Sequence, residues 1–337
     1  MEKLRDDIPQ RGEVSEIVPG VYWLRMPLPF VLNHINLWLL ADGDGWTLVD
    51  TGLNTDEIKS LWRQLFATAL DGRPITRLIV THFHPDHAGL AGWLTEEWGV
   101  DLWMSQNEWL HARMLSMDTG PEMTALIADF YRRAGCSGEL LAQLEARGNT
   151  YASRVVPIPR AYRRIRDGMG FDIGGHHWRV LVGRGHAPEH VCLHCAELDT
   201  IIAGDQILPK ISPVVGVYFS EPEAEPLSDF LATIANLQNL PASTRVLPSH
   251  GIPFVGVSER LSQLASHHEA RLEHLLAGCT GQHTAAELAK VLFPQELDLH
   301  QTQFALGETL AHLHHLMHRG QVRRQSRADG VHLYAAA

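Results

Sequence analysis

The sequence predicts an α/β fold, and three observations support this. A β-rich run at 20–24 opens the chain, and an amphipathic helical pattern follows at 55–70. The apolar run Leu78–Val80 is typical of a buried strand, and the segment Thr-His-Phe-His-Pro-Asp-His follows it at residues 81–87. Open α/β folds place their chemistry at strand ends. The segment therefore marks the predicted functional site.

The other elements continue the alternation of strands and helices. Residues 36–40 and 46–49 are predicted strands on either side of Asp42-Gly43-Asp44-Gly45, which is a turn signal. Residues from about 105 to 165 are rich in Leu, Ala, Arg and Glu, and predict a helical insertion that could cover a site. The later predictions are strands at 171–173, 177–182, 191–194, 200–202 and 246–247, and helices at 227–239 and 257–277.

A boundary is predicted near Gly278–Gly281, which separates a domain at 1–279 from one at 280–337. The second contains helical patterns at 284–292 and 302–318, then two short strands around a polar turn. Helix, helix and hairpin is the layout of a small winged-helix domain. Its five Lys and Arg balance its five Asp and Glu, whereas a DNA-reading module usually has a basic face. We therefore expect it to serve in docking, in dimerisation or as a wall of the substrate cleft.

The bulk properties limit the function classes. The chain has 337 residues and a formal net charge of -11, which argues against general nucleic-acid binding and favours a small-molecule substrate. Its 4 cysteines are too few and too scattered for a disulfide framework. We see no secretory signal and no apolar run that could span a membrane. These features predict a cytoplasmic, reduced protein.

The segment at 81–87 has the density of ligands that metal binding requires. A two-metal hydrolytic site needs about seven ligand groups, one of them a bridging carboxylate. The segment supplies His82, His84, Asp86 and His87. Three further candidates each lie in a glycine-marked turn after an apolar strand, and they are His186, Asp205 and His250. Glycine allows close backbone approach at such turns.

With these motifs the chain resembles the metallo-β-lactamase superfamily. The segment at 81–87 matches the family signature, and the later turns match its motifs in order. Asp50-Thr51-Gly52 is similar to the family's early Asp-Thr-Gly element. The resemblance covers residues from about 15 to 275. The C-terminal domain and the stretch 204–213 are similar to the branch of β-lactamase-like protein 2.

The resemblance implies an αββα metallo-β-lactamase sandwich with two divalent metal ions at one edge. His82, His84 and His186 would hold one ion, Asp86, His87 and His250 would hold the other, and Asp205 would bridge them. Asp50 would orient the ligands or the nucleophilic water, and Asp86 would also carry a proton. Zinc is the default ion, and His and Asp ligands also suit iron or manganese.

Two subfamilies fit the motifs less well. The best-known β-lactam-hydrolysing members carry a cysteine where Asp205 stands and lack a histidine equivalent to His87, so we expect no β-lactamase activity. Diiron flavoproteins carry an acidic residue where His84 stands. The chain instead has the ligand set of the glyoxalase II-like members.

These features predict a dinuclear metal-dependent hydrolase of a small thioester or ester. One alternative is a metal-dependent endoribonuclease acting on single-stranded RNA, which the resembled branch favours and the net charge disfavours. Another is a scaffold or regulatory protein that binds partners through its winged helix. An iron-dependent oxidation is a further alternative, and it would use a single iron.

Residues outside the ligand set allow more than one interpretation. Lys210, Tyr218 and Arg163 are predicted substrate contacts. Arg163 belongs to a basic cluster at 160–166 that fits a solvated strand edge or a phosphate contact. His190 is predicted to make a structural hydrogen bond.

Two other groups are interpreted as structural. His34 is predicted to be structural or part of a loop. Cys192 and Cys195 look like half of a zinc knuckle, but within a strand they should face opposite sides. We therefore predict ordinary core cysteines.

Overall fold

The computed structural model describes residues 1–337, and its internal contacts divide the chain into two units. The first unit contains residues 1–117, 151–213 and 237–260. The second contains residues 118–150, 214–236 and 261–337. These units differ from the predicted domains at 1–279 and 280–337, which stay a prediction.

The chain alternates between strands and helices. The strands are β1 (Glu2–Lys3), β2 (Val14–Val18), β3 (Val21–Pro27), β4 (His34–Asp42), β5 (Gly45–Val49), β6 (Ile75–Ile79), β7 (Leu102–Ser105), β8 (Arg163–Ile165), β9 (Gly170–Ile173), β10 (His176–Gly183), β11 (His190–Cys195), β12 (Thr200–Gly204), β13 (Arg245–Pro248), β14 (Phe254–Val255), β15 (Val322–Ser326) and β16 (His332–Ala336). The helices are α1 (Asp56–Ala67), α2 (Pro85–Ala88), α3 (Ala91–Trp98), α4 (Gln106–Met117), α5 (Pro121–Arg133), α6 (Gly138–Arg147), α7 (Pro226–Leu237), α8 (Val257–Gly278), α9 (Ala285–Leu292) and α10 (Leu299–His318), with a 3₁₀ turn at Ala152–Arg154.

Two seven-stranded sheets form the centre of the first unit. One runs in the order β2-β3-β4-β5-β6-β7-β8, and the other in the order β1-β14-β13-β12-β11-β10-β9. β5, β6, β7 and β8 pair in parallel, as do β12 and β13, and the other pairs are antiparallel. Parallel pairing places the segments after β5 and β6 at one edge of the first sheet, and the segments after β12 and β13 at one edge of the second.

The inner faces of the two sheets share one apolar core. Trp23 and Trp38 from one sheet stack with ring centroids 6.3 Å apart, and the core also contains Trp178 and Leu193 from the other. These side chains are almost entirely buried. Two sheets packed face to face confirm the predicted sandwich.

Helices cover the outer face of the sheet that contains β5 and β6. The Thr55 hydroxyl accepts from the amide of Ile58 and caps α1, which buries Ile58, Trp62 and Leu65 along one face. Leu94 of α3 joins the same cluster. This layer is the helical cover expected of the predicted αββα arrangement.

The second unit holds α5, α6, α9, α10 and the β15–β16 hairpin, with most of α7 and α8. Its core includes Met123 and Ile127 of α5, Leu144 of α6 and Leu306 of α10. Asp298 caps α10 in a reciprocal capping box with Gln301. The predicted order of two helices and a hairpin is present, and the winged-helix assignment stays a prediction.

No helix in the chain combines the length and the apolar character needed to cross a membrane.

Candidate metal centre

The first four candidate ligands follow the end of β6. The chain leaves the buried strand at Val80 and Thr81, and the one-turn helix α2 begins at Pro85, whose fixed φ suits a first helical position. Asp86 and His87 lie within that turn. His82 and His87 are fully buried.

The other three candidates come from the opposite sheet. His186 follows β10, Asp205 follows β12 and His250 follows β13. Gly204, directly before Asp205, has a φ of 53°, and a Cβ there would meet the His190 ring at 2.4 Å. Only glycine satisfies both conditions. Because Gly204 has no side chain, the chain can pass close to the His190 ring and place Asp205 in the site.

Four of the seven side chains form one group of donor atoms. The Nε2 atom of His82 lies 2.9 Å from Nδ1 of His84 and 3.2 Å from Nε2 of His186. Nε2 of His186 lies 3.5 Å from Oδ2 of Asp205. Tetrahedral zinc with nitrogen ligands at about 2.05 Å has ligand edges of about 3.3 Å, so these spacings suit a shared cation.

The remaining three form a second group beside the first. Oδ2 of Asp86 lies 3.7 Å from Nε2 of His87 and 3.4 Å from Nε2 of His250. Oδ1 of Asp205 lies 3.6 Å from Nε2 of His87 and 3.3 Å from Nε2 of His250. Asp205 thus presents one oxygen to each group.

The hydrogen bonding of two buried atoms indicates whether these residues fit metal ions. Nε2 of His87 and Oδ1 of Asp205 are buried and have no hydrogen-bond partner. A buried polar atom without a partner costs about 1–3 kcal/mol. A divalent cation would satisfy both atoms, so the donor set fits metal ions.

Asp50 holds the first stretch of ligands in place. Its carboxylate accepts from the Thr81 amide at 2.8 Å, from the Thr81 hydroxyl at 2.8 Å and from Nδ1 of His87 at 2.8 Å. It adopts a φ of 64°, a left-handed conformation that Asp tolerates better than most residues. With its proton on Nδ1, His87 directs the Nε2 lone pair toward Asp86 and Asp205.

Two other histidines position the later ligands. Nδ1 of His250 donates to the backbone oxygen of His34 at 2.8 Å, and the Gly251 amide donates to Nε2 of His34 at 2.9 Å. The Asp205 amide donates to Nε2 of His190 at 3.1 Å. The structural hydrogen bond predicted for His190 is therefore present.

The two groups differ in their electrostatics. Burial, followed by the neighbouring imidazoles, lowers the pKa of His82 well below its usual value, and burial lowers the pKa of His84 to about 3. Burial also disfavours the charged form of His250, but the carboxylates of Asp205 and Asp86 outweigh it and raise the pKa of His250 to about 10. The second group therefore has the greater demand for positive charge.

Glu108 supports the site and was not predicted from the sequence. It is fully buried, and its two oxygens accept from the amides of Phe83 at 3.0 Å and Glu189 at 2.6 Å. The hydroxyl of Tyr151 donates to the Phe83 oxygen. Burial, opposed by these two amides, raises the pKa of Glu108 to about 8. Glu108 ties the ligand segment to the loop that precedes β11.

The three predicted substrate contacts do not form a group in the way that the candidate ligands do. Lys210 is exposed. Arg163 is exposed in the edge strand β8 and donates from Nε to Asp101 at 2.8 Å, which suits a solvated strand edge. Tyr218 belongs to the second unit, and burial raises its pKa. All three assignments stay predictions.

Comparison with known proteins identifies the class that this fold and donor set define. Residues 31–250 match the model of the metallo-β-lactamase superfamily, and residues 272–337 match that of the metallo-β-lactamase-like C-terminal domain. The chain belongs to the metallo-β-lactamase superfamily. It is a metal-dependent hydrolase, and the family binds divalent metals.

Individual relatives agree with this assignment. A crystal structure of a β-lactamase domain protein from Burkholderia ambifaria is 43% identical, with a TM-score of 0.92 over 100% of this chain and 98% of that one. A metallo-β-lactamase family protein from Thermus thermophilus is 32% identical, with a TM-score of 0.81 over 96% of this chain and 100% of that one. The probable metallo-hydrolase YqjP of Bacillus subtilis is 28% identical over 86% of this chain and 90% of its own length. The branch of β-lactamase-like protein 2 stays a prediction.

Proposed function

We propose that the protein is a dinuclear metal-dependent hydrolase that acts on a small thioester or ester. One observation carries the dinuclear assignment: Asp205 presents Oδ2 to one donor group and Oδ1 to the other. A carboxylate shared between two sets of ligands is the bridging element of two-metal hydrolytic sites.

The candidate ligands form two sets, one for each ion. His82, His84 and His186 would hold one ion, and Asp86, His87 and His250 would hold the second. When bound, two such ions supply a nucleophile from water near neutral pH and stabilise the charge that develops on the substrate oxygen.

Asp86 and Asp50 take the supporting roles. The side chain of Asp86 is 19% exposed, whereas those of Asp205 and His87 are 9% and 0% exposed. Asp86 can therefore exchange a proton with an approaching substrate, and we assign it that task. Asp50 orients His87 through the bond to Nδ1.

The substrate class rests on the ligand chemistry. The seven donors are imidazoles and carboxylates without a thiolate, a set that resembles that of the glyoxalase II-like thioester hydrolases. The net charge of -11 favours a small substrate over a polyanion. Zinc is the proposed ion, with iron and manganese as alternatives that these ligands also accept.

Manganese reconstitution tests the bridge directly. We expect wild-type protein to bind two Mn²⁺ in the seven-residue site and to give the exchange-coupled electron paramagnetic resonance signal of a bridged pair. Asp205→Asn should lose this coupling, whereas Asp101→Asn, at an exposed position, should keep it. Two uncoupled ions or a single ion in the wild type would refute the dinuclear assignment.

A substrate panel tests the chemistry. We expect small thioesters and esters to be hydrolysed by the metal-loaded enzyme and not by Asp205→Asn. Cleavage of single-stranded RNA alone would replace the proposal with the nuclease alternative. A single bound iron with oxygen consumption would replace it with an oxidation.

A further inference from the structure

A third cluster of metal-binding side chains lies away from the seven ligands. It consists of His176, Cys195 and Glu197, whose donor atoms all lie within 4.8 Å of one another. His176 begins β10, Cys195 ends β11, and Glu197 lies in the turn that follows. β11 begins at His190, which contacts Asp205. At about 3.3 Å per residue, the two ends of this strand are about 17 Å apart.

Strand pairing and the following turn bring the three side chains together. β10 and β11 are antiparallel and pair Arg179 with His194, so the start of β10 lies beside the end of β11. The turn after β11 brings Glu197 close to both His176 and Cys195. Successive strand residues point to opposite sides of a sheet. Cys192 has the opposite parity, as the sequence predicts, and does not join the cluster.

Two of the ligand distances match a tetrahedral zinc site. Nδ1 of His176 lies 3.4 Å from Oε2 of Glu197, and Sγ of Cys195 lies 3.7 Å from the same oxygen. With metal bonds of about 2.05 Å to nitrogen, 2.1 Å to oxygen and 2.3 Å to sulfur, the tetrahedral edges are about 3.4 Å for N···O and 3.6 Å for S···O. The donor atoms of His176 and Cys195 lie within 4.8 Å of each other.

The Cys195 sulfur is fully buried. Burial raises the pKa of the Cys195 thiol, the backbone amides of Leu198 and Glu197 oppose that rise, and the Glu197 carboxylate adds to it. A bound cation would therefore have to displace the thiol proton. The amide of His177 donates to Glu197 at 2.9 Å and orients its carboxylate.

An ion can reach the cluster from solvent. The side chains of His176 and Glu197 are 34% and 55% exposed. His176 also lines a cavity of about 450 Å³ whose wall includes Asp42 and Asp172.

We propose that His176, Cys195 and Glu197 form a separate site for a thiophilic divalent cation of the Zn²⁺ class, with water as the fourth ligand. Binding releases the thiol proton to solvent and leaves a thiolate as ligand. The ion would join the start of β10 to the β11–β12 turn. Hard cations such as Mg²⁺ and Mn²⁺ prefer oxygen ligands and would not occupy it.

Cobalt titration of the full chain distinguishes this site from the seven-ligand centre, which has no sulfur donor. We expect Co²⁺ to produce a thiolate-to-cobalt charge-transfer absorption in the near ultraviolet, with one more ion bound per chain than in Glu197→Gln. Cys195→Ser should abolish the absorption. His177→Gln, which changes the adjacent exposed histidine, should keep it.

Two outcomes would overturn the proposal. One is the absence of a thiolate absorption at saturating Co²⁺, and the other is its persistence in both Cys195→Ser and Glu197→Gln. Because Glu197 is exposed, Glu197→Gln tests the site even if serine at the buried position disturbs folding.

Discussion

Replacing Asp50 with asparagine changes the charge beside His87 with little change in shape. Asn also tolerates a left-handed φ, so the backbone at this position can stay as it is. The amide keeps one oxygen to accept from the Thr81 amide, and its NH₂ group then faces Nδ1 of His87. That nitrogen must become an acceptor, which moves the ring proton to Nε2, the atom directed at the second donor group.

The size of the effect follows from the lost bond. A hydrogen bond to a charged group contributes about 1.5–3 kcal/mol, and loss of a group that orients a metal ligand typically costs about 10- to 100-fold in affinity or activity. We expect Asp50→Asn to weaken binding of the second ion by about 10- to 100-fold while the far-ultraviolet circular dichroism stays unchanged.

The assay is competition for Zn²⁺ with a chromophoric chelator at fixed pH. Asp71→Asn is the matched control, because Asp71 also has a positive φ, of 54°, but is exposed. Equal Zn²⁺ affinity in Asp50→Asn and wild type would refute the role assigned to Asp50.

Three further changes test the supporting structure. Glu108→Gln replaces one of two buried acceptor oxygens with a donor, so we expect urea denaturation to show a loss of about 1–3 kcal/mol. Burial lowers the pKa of His268 to about 2 and that of His312 to about 4, so both are neutral in the folded state. Below their unfolded pKa of about 6.5 the unfolded chain binds more protons, so unfolding free energy should fall from pH 6.5 toward pH 4, and His268→Leu should flatten this dependence. Asp298→Ala removes the cap of α10 and should cost about 1 kcal/mol in the same measurement.

An exposed position provides the control. Glu96→Gln on α3 should leave the unfolding free energy unchanged. If Glu108→Gln is as stable as wild type, the backbone amides of Phe83 and Glu189 must find other hydrogen-bond acceptors in the variant. An unfolding free energy that stays constant in wild type between pH 6.5 and pH 4 would contradict the neutral state of the two histidines.

The candidate ligands could be predicted because their signals are local in the sequence. Four of them lie within six residues after an apolar strand, and Gly204 marks the turn that brings in Asp205. By contrast, Glu108 acts on amides 25 and 81 positions away along the chain. No short-range pattern encodes such a contact, so the sequence contains no signal for it.

Some elements also escaped prediction for physical reasons. β8 is the sequence Arg-Arg-Ile, whose two arginines lie on an exposed edge, so it lacks an apolar run. α10 begins at Leu299, three residues before the predicted start, because the Asp298 and Gln301 side chains cap it reciprocally. The cysteines were correctly placed in the core, but the proximity of Cys195 to His176 arises from the pairing of β10 with β11, which brings together residues distant in the sequence.

The seven candidate ligands come from both sheets, with the segment after β6 supplying four and the turns after β10, β12 and β13 supplying three. Ions bound by this set would cross-link the two sheets. The ligand set is complete only after the sheets have packed against each other, so metal binding would be a late event in folding. Metal affinity would then depend on how the two sheets align. A substitution at Trp38 or Trp178, in the core between the sheets, would change the metal affinity although neither residue is a ligand.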